Sequence, residues 1–192
     1  MDLQLEAFLM STGLVALAEI GDKTQLLAFM LAARFRRSGP IILGILVATI
    51  ANHAFAAAVG AWLTTLLGPD VLRWVLGLSF LAMAVWIIVP DELDDTQPVA
   101  PPLGVFGTTV IAFFLAEMGD KTQIATVALA AQYATFAAVV AGTTLGMMIA
   151  NVPAVVAGER IAHRLPVRLV HGAAAALFAV LGIAALSGFE PG

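Results

Sequence analysis

Ala18-Glu19-Ile20-Gly21-Asp22-Lys23-Thr24-Gln25 recurs in the second half of the chain as Ala116-Glu117-Met118-Gly119-Asp120-Lys121-Thr122-Gln123, identical at seven of eight positions. Both copies lie inside long apolar runs, Leu14 to Ala33 and Val105 to Ala131. An ionised side chain at mid-bilayer costs about 2.5–3.5 kcal/mol on insertion scales. Left unpaired, the charges of the two copies would cost roughly 15–20 kcal/mol, more than the about 5–15 kcal/mol by which a domain is usually stable. They must be paired, hydrated or holding an ion.

The surrounding composition explains how such a stretch comes to lie in lipid. The chain has 192 residues, of which 61% are hydrophobic and only 11% charged, with a mean hydropathy of +0.99. That is outside the range of a soluble domain and reads as a polytopic membrane protein. Much of the net charge of −4 comes from Asp91-Glu92-Leu93-Asp94-Asp95, and no basic surface suggests nucleic acid as a partner. Cysteine is absent, which removes disulfides, thiolate ligands and a cysteine nucleophile. The acidic N-terminus precedes an apolar run too long for a signal-peptide core, so no cleavable leader is expected.

Six apolar runs are long enough to cross a bilayer as helices: 5–33, 41–66, 71–89, 104–131, 135–157 and 168–188. Arg34 to Pro40, Gly68-Pro69-Asp70 and Pro90 break them. The halves correspond beyond the motif. Gly44 answers to Gly142, Ala51-Asn52 to Ala150-Asn151, Gly60 to Gly158, and Arg73-x-x-x-Gly77 to Arg168-x-x-x-Gly172. This is an internal duplication, with a first repeat over 1–90, a cytoplasmic acidic, Pro-containing linker over 91–103 and a second repeat over 104–192.

Three spans per copy make the second copy enter the membrane from the opposite side. The expected fold is therefore an all-α membrane protein of six transmembrane helices in two inverted-topology three-helix repeats, with the motifs meeting near the midplane. Arg34, Arg36, Arg37, Arg160, Arg164 and Arg168 fall on one side and Arg73 on the other, which puts the first group in the cytoplasm and both termini outside.

In a continuous helix, Glu19, Asp22 and Gln25 would form a slanting ladder of oxygens with Lys23 one turn from Glu19, and Glu117, Asp120, Gln123 and Lys121 would repeat it. Two facing ladders offer four carboxylates and two amide oxygens. Oxygen-only ligands select hard cations such as Ca²⁺, Mg²⁺ or Mn²⁺. With both lysines charged the motifs sum to −2, opposite to one divalent ion. Protons can replace a departing ion, because crowded, desolvated carboxylates favour protonation. The alternative is that Glu19–Lys23 and Glu117–Lys121 are intrahelical ion pairs serving only packing.

Other polar residues carry two readings each. Asn52 and Asn151, near the centres of the second and fifth spans, complete the coordination shell or join helices by hydrogen bonds. Thr24 and Thr122 are ligands or bond their own helix backbone. His53, with Val152 as its counterpart, relays protons or is a packed core histidine. Met118 offers a thioether to Mn²⁺ or fills space. Gly21 and Gly119 allow local unwinding or close approach of the opposite repeat. Gly142-x-x-x-Gly146 is a small-residue packing pattern. Asp91–Asp95 lacks the spacing of a calcium-binding loop and reads as a solvated linker.

The paired Glu-x-Gly-Asp-Lys-Thr motifs resemble those of the Gdt-type family of bacterial manganese exporters and Golgi or chloroplast calcium/manganese–proton exchangers, over nearly the whole chain. The resemblance implies two inverted halves of three spans and a cation site built from Glu19, Asp22, Glu117 and Asp120. It also implies a bacterial inner-membrane protein that exports Mn²⁺ first and Ca²⁺ second in exchange for protons. The expected metal site is Glu19, Asp22, Gln25, Asn52, Glu117, Asp120, Gln123 and Asn151, with Lys23 and Lys121 balancing charge. The transported ion is substrate and no resident cofactor is expected. The remaining partners are protons, the lipid bilayer and, as one candidate assembly, a second copy in a homodimer.

Two rivals use the same acids. An exporter of cationic small molecules such as basic amino acids would want aromatic residues at the site, where Phe29, Phe113 and Phe114 are the available ones. A metal-dependent membrane hydrolase would need water access and a richer histidine set than three. The transporter reading therefore expects no enzymatic activity.

Overall fold

The computed structural model describes residues 2–89, 103–157 and 167–188. The described residues are helical and contain no strand. The helices are α1 Leu3–Glu19, α2 Lys23–Phe35, α3 Ser38–Leu66, α4 Pro69–Trp86, α5 Gly104–Glu117, α6 Lys121–Tyr133, α7 Phe136–Ala157 and α8 Val167–Leu186. The linker acids Asp91–Asp95, and Arg160 and Arg164, lie outside the described residues.

The runs 5–33 and 104–131, expected to be single spans, are each divided at the motif. Gly21 and Gly119 take positive φ angles of 87° and 77°, a region that glycine enters without a Cβ penalty. Asp22 and Asp120 follow in extended conformation as the N-caps of α2 and α6. The first break bends the chain by 70° between α1 and α2. Of the two roles open for these glycines, both take part in unwinding, and the slanting ladder of a continuous helix does not form.

By length and apolarity α3, α4, α7 and α8 can cross a membrane, and α1 with α2 makes a fifth where the bent pair is counted as one span. The remaining apolar run, 104–131, is shared between α5 and α6, of 14 and 13 residues. Neither helix is long enough alone to span about 30 Å of hydrocarbon.

The halves share further local devices. Helix α2 ends at Arg36 and α6 at Ala134, both left-handed, with φ of 52° and 50°. Their backbone N–H groups bond the carbonyls of Ala32 and Ala130, the single-residue stop that satisfies a terminal carbonyl.

Packing runs between the halves. Helix α1 lies against α7 and α5 against α3; α2 also touches α7, and α6 touches α3. Helix α4 pairs with α8, where Phe80 and Phe178 rings meet at 6.3 Å between centroids. Close approach is set by glycines whose Cβ would strike the facing backbone, as at Gly142 on α7 against the Phe8 carbonyl of α1. One apolar core surrounds Leu14, Phe80, Leu129 and Phe178, and a second surrounds Leu31, Ile41, Ile45 and Phe113. The acids that flank the two breaks, Glu19, Glu117 and Asp120, are thereby brought together in the interior.

Candidate functional site

Each break is built by the motif's own residues. Gln25 and Gln123 sit in the first turns of α2 and α6, and their Oε1 atoms accept from the N–H groups of Gly21 at 3.0 Å and Gly119 at 2.7 Å. This resembles a capping box reaching one residue further back. The backbone N–H groups of Asp22 and Asp120 bond the carbonyls of Glu19 and Glu117, both at 3.1 Å. An N-cap aspartate ordinarily bonds the helix amides with its carboxylate; here neither does. Both acids point elsewhere.

They point at the other repeat. The Asp120 carboxylate lies 2.6 Å from the Lys23 ammonium, and Lys121 lies 3.7 Å from Asp22. The lysines therefore cross between motifs, which displaces the reading of intrahelical Glu19–Lys23 and Glu117–Lys121 pairs. The crossing is unequal: Lys121 is fully buried and also donates to the Val89 carbonyl at 3.2 Å, whereas Lys23 retains about a quarter of its exposure.

Glu19 and Glu117 face inward from the last turns of α1 and α5, both fully buried. Thr24 donates its hydroxyl to Glu19 Oε2 at 2.7 Å and Thr122 donates to Glu117 Oε2 at 3.0 Å. These threonines bond carboxylates, and so orient the acids, instead of bonding their own helix backbone. Glu19 Oε1, Glu117 Oε1 and Asp120 Oδ2 are buried without a hydrogen-bond partner. Such oxygens are costly unless something cationic or protic meets them. One carboxylate oxygen each from Glu19, Glu117 and Asp120 lies within 4.8 Å of the others. Hard cations hold oxygens at about 2.0–2.6 Å, so two ligands on one ion stand at most about 5 Å apart. The three acids fit that separation.

The remaining expected site residues lie at different removes. Asp22 is buried beside Lys121 and is outside the three-acid group. Gln123 Nε2 donates to Asn52 Oδ1 at 3.3 Å, and Asn52 Nδ2 donates to the Phe114 carbonyl at 3.0 Å, so this pair joins α3, α5 and α6. In the other half Gln25 Nε2 donates at 3.0 Å to the Ala150 carbonyl. Asn151 Nδ2 bonds Met147, and Asn151 Oδ1 is buried without a partner. His53 is fully buried with neither ring nitrogen hydrogen-bonded. Met118 is 58% exposed, and Phe113 packs in the core with Phe29 and Phe114 partly buried against it.

Two contributors had no signal in the motif. His171 Nε2, on α8, donates to the Ile20 carbonyl at 2.8 Å, and Val167 packs over Gly21. Their only trace in the sequence is that the Arg168-x-x-x-Gly172 correspondence brackets a histidine where the first half has Leu76.

These features define a helical membrane protein whose duplicated, broken helices converge on a buried acid cluster, the architecture of a cation transporter. A family model described as the divalent cation/proton antiporter GDT1 matches residues 7–95 and again 105–190, one match to each half. The chain belongs to this family of antiporters. It is 52% identical over 171 residues to a Vibrio cholerae protein named "Putative manganese exporter", covering 88% of this chain and 85% of that one. A Synechocystis protein named "GDT1-like protein sll0615" is 32% identical over 92% of this chain and 96% of its own length. "GDT1-like protein 4" of Oryza sativa subsp. indica is 28% identical over 97% of this chain and 74% of its own. No solved structure matches the chain.

Proposed function

We propose that the protein exports Mn²⁺ from the cytoplasm in exchange for protons, with Ca²⁺ as its second substrate, by alternating access around the acid cluster. The observation that carries this reading is the convergence of Glu19, Glu117 and Asp120 within 4.8 Å, each with a buried, unpartnered oxygen. In the proposed cycle the ion is held by these three carboxylates, and Asp120 exchanges the Lys23 ammonium for it. Asp22 and the oxygens of Gln25, Gln123, Asn52 and Asn151 complete the shell as their present bonds open. When the ion leaves, protons and the two lysines neutralise the acids. The family's description as a divalent cation/proton antiporter and the name of the Vibrio relative support Mn²⁺ on one side of the exchange and protons on the other.

The same reading places six spans in two inverted halves, residues 1–90 and 104–192 joined by a cytoplasmic linker. It also places both termini outside the bacterial inner membrane. Uptake into proteoliposomes under an imposed pH gradient tests it, with Mn²⁺, Ca²⁺ and Mg²⁺ compared. Glu19→Gln and Glu117→Gln should each abolish flux, since the amide keeps the threonine hydrogen bond but not the charge. Retained flux in both variants refutes the site, and metal movement without proton movement refutes exchange.

A further inference from the structure

The two breaks are chemically equivalent but are not equally covered. At the first, His171 Nε2 donates to the Ile20 carbonyl at 2.8 Å, and a methyl group on Gly21 would lie 2.5 Å from a Val167 methyl. At the second, nothing among the described residues lies within 4 Å of where a Gly119 Cβ would stand, and Met118 is 58% exposed. Aligning Arg73 with Arg168 makes Leu72 and Leu76 the counterparts of Val167 and His171. Those leucines do not cover the second break. They line a cavity of about 640 Å³ with Ala131 and Tyr133 at the opposite end of α6.

The glutamine bonds are unequal in the same way. Gln123 reaches the side chain of Asn52, whereas Gln25 reaches past Asn151 to the backbone of Ala150. Two copies of one local design therefore stand in different states within a single chain. A carbonyl freed by helix unwinding ordinarily faces water or an ion. The Ile20 carbonyl is instead held by a side chain from α8.

We propose that His171, backed by Val167, is the gating residue that closes the first break to water while the second break stands open. It positions the Ile20 carbonyl and touches no expected ligand itself. The inference rests on the transporter reading above, because a gate has a role only where an ion must pass.

The chain contains no cysteine, so single introduced thiols report access cleanly. Ile20→Cys and Met118→Cys are treated with a membrane-impermeant maleimide in right-side-out and inside-out vesicles. The Met118→Cys thiol should react from one face and the Ile20→Cys thiol far more slowly from either. Adding His171→Ala should raise the Ile20→Cys rate by about tenfold, the ratio that loss of one hydrogen bond produces in an open–closed equilibrium. His171→Gln, which keeps an N–H donor, should leave it slow. The Met118→Cys rate should be unmoved by His171→Ala, and a change there would indicate general loosening and overturn a local gate. Equal rates at the two sites, no response to His171→Ala, or an unreactive Met118→Cys thiol would each overturn it too. Labelling needs no flux, so a failed labelling contrast removes the gate alone, and absent Mn²⁺ uptake with the contrast intact removes the transport reading alone.

Discussion

Lys23 of the first motif holds Asp120 of the second at 2.6 Å, and Asp120 is also one of the three acids whose oxygens converge. A single carboxylate thus serves an internal cation and, in the proposed cycle, a transported one. In that cycle the ammonium acts as a tethered competitor for the site. It lets the acid cluster empty without leaving Asp120 as an isolated buried charge, which would cost several kcal/mol.

Lys23→Met removes the competitor and keeps the stem. Half-saturating Mn²⁺ should fall in proteoliposome uptake, and the maximal rate should fall with it, because the ion has no partner to displace it from Asp120. A raised half-saturation concentration would show that Lys23 assists binding instead. A double-mutant cycle with Asp120→Asn, read by chemical unfolding in detergent, should return about 1.5–3 kcal/mol of coupling, as for hydrogen bonds to charged groups.

Thr24 and Thr122 each satisfy one oxygen of a fully buried glutamate. Replacing Thr122 by Val keeps the shape and strands Glu117 Oε2, at about 1–3 kcal/mol of stability. Thr122→Ser should recover most of that and most of the uptake. If Thr122→Val matches the parent in both unfolding and flux, the hydroxyl does not orient the acid.

The membrane class, the duplication and the acidic motif were legible in the sequence because each is a matter of composition or of repeated letters. The break was legible only as one of two readings of Gly21 and Gly119, since both glycines are compatible with a continuous helix until backbone dihedrals are known, and the ladder assumed that continuity. The crossed lysine pairs were hidden for a related reason. Spacing within one helix nominates Glu19 for Lys23, whereas the partner found is Asp120, brought near only by the packing of one half on the other. Thr24 was read as a choice between metal and its own backbone, and the carboxylate five residues earlier became reachable once the chain turned. His171 lies in an ordinary apolar run, and nothing local marks the carbonyl it meets.

The two broken glycines give a test of the unequal covering that requires no transport. Alanine at positive φ costs about 1–2 kcal/mol in either place. Gly119→Ala meets open space and should show that cost alone, while Gly21→Ala also drives a methyl to 2.5 Å from Val167. Gly21→Ala should therefore be the more destabilising in thermal unfolding, and Val167→Ala should rescue part of its loss and none of the loss in Gly119→Ala. Equal losses would mean that the first break is as open as the second.

The seam between α1 and α7 offers a control on the packing itself. A Cβ at Gly142 would meet the Phe8 carbonyl at 2.5 Å, and one at Gly146 would meet the Thr12 carbonyl at 2.6 Å. Backbone oxygens cannot rotate aside as a flexible side chain can, so the helices must separate. Gly142→Ala and Gly146→Ala should each cost about 1–3 kcal/mol, the range for overpacking. Gly13 on α1 and Gly172 on α8 have nothing within 4 Å among the described residues, and alanine there should stabilise by about 0.5–1 kcal/mol through helix propensity. Because the α1–α7 seam carries Glu19 toward the cluster from α1, the first pair should also lose uptake while the second keeps it. Loss of stability without loss of uptake would show that the position of Glu19 does not depend on this seam.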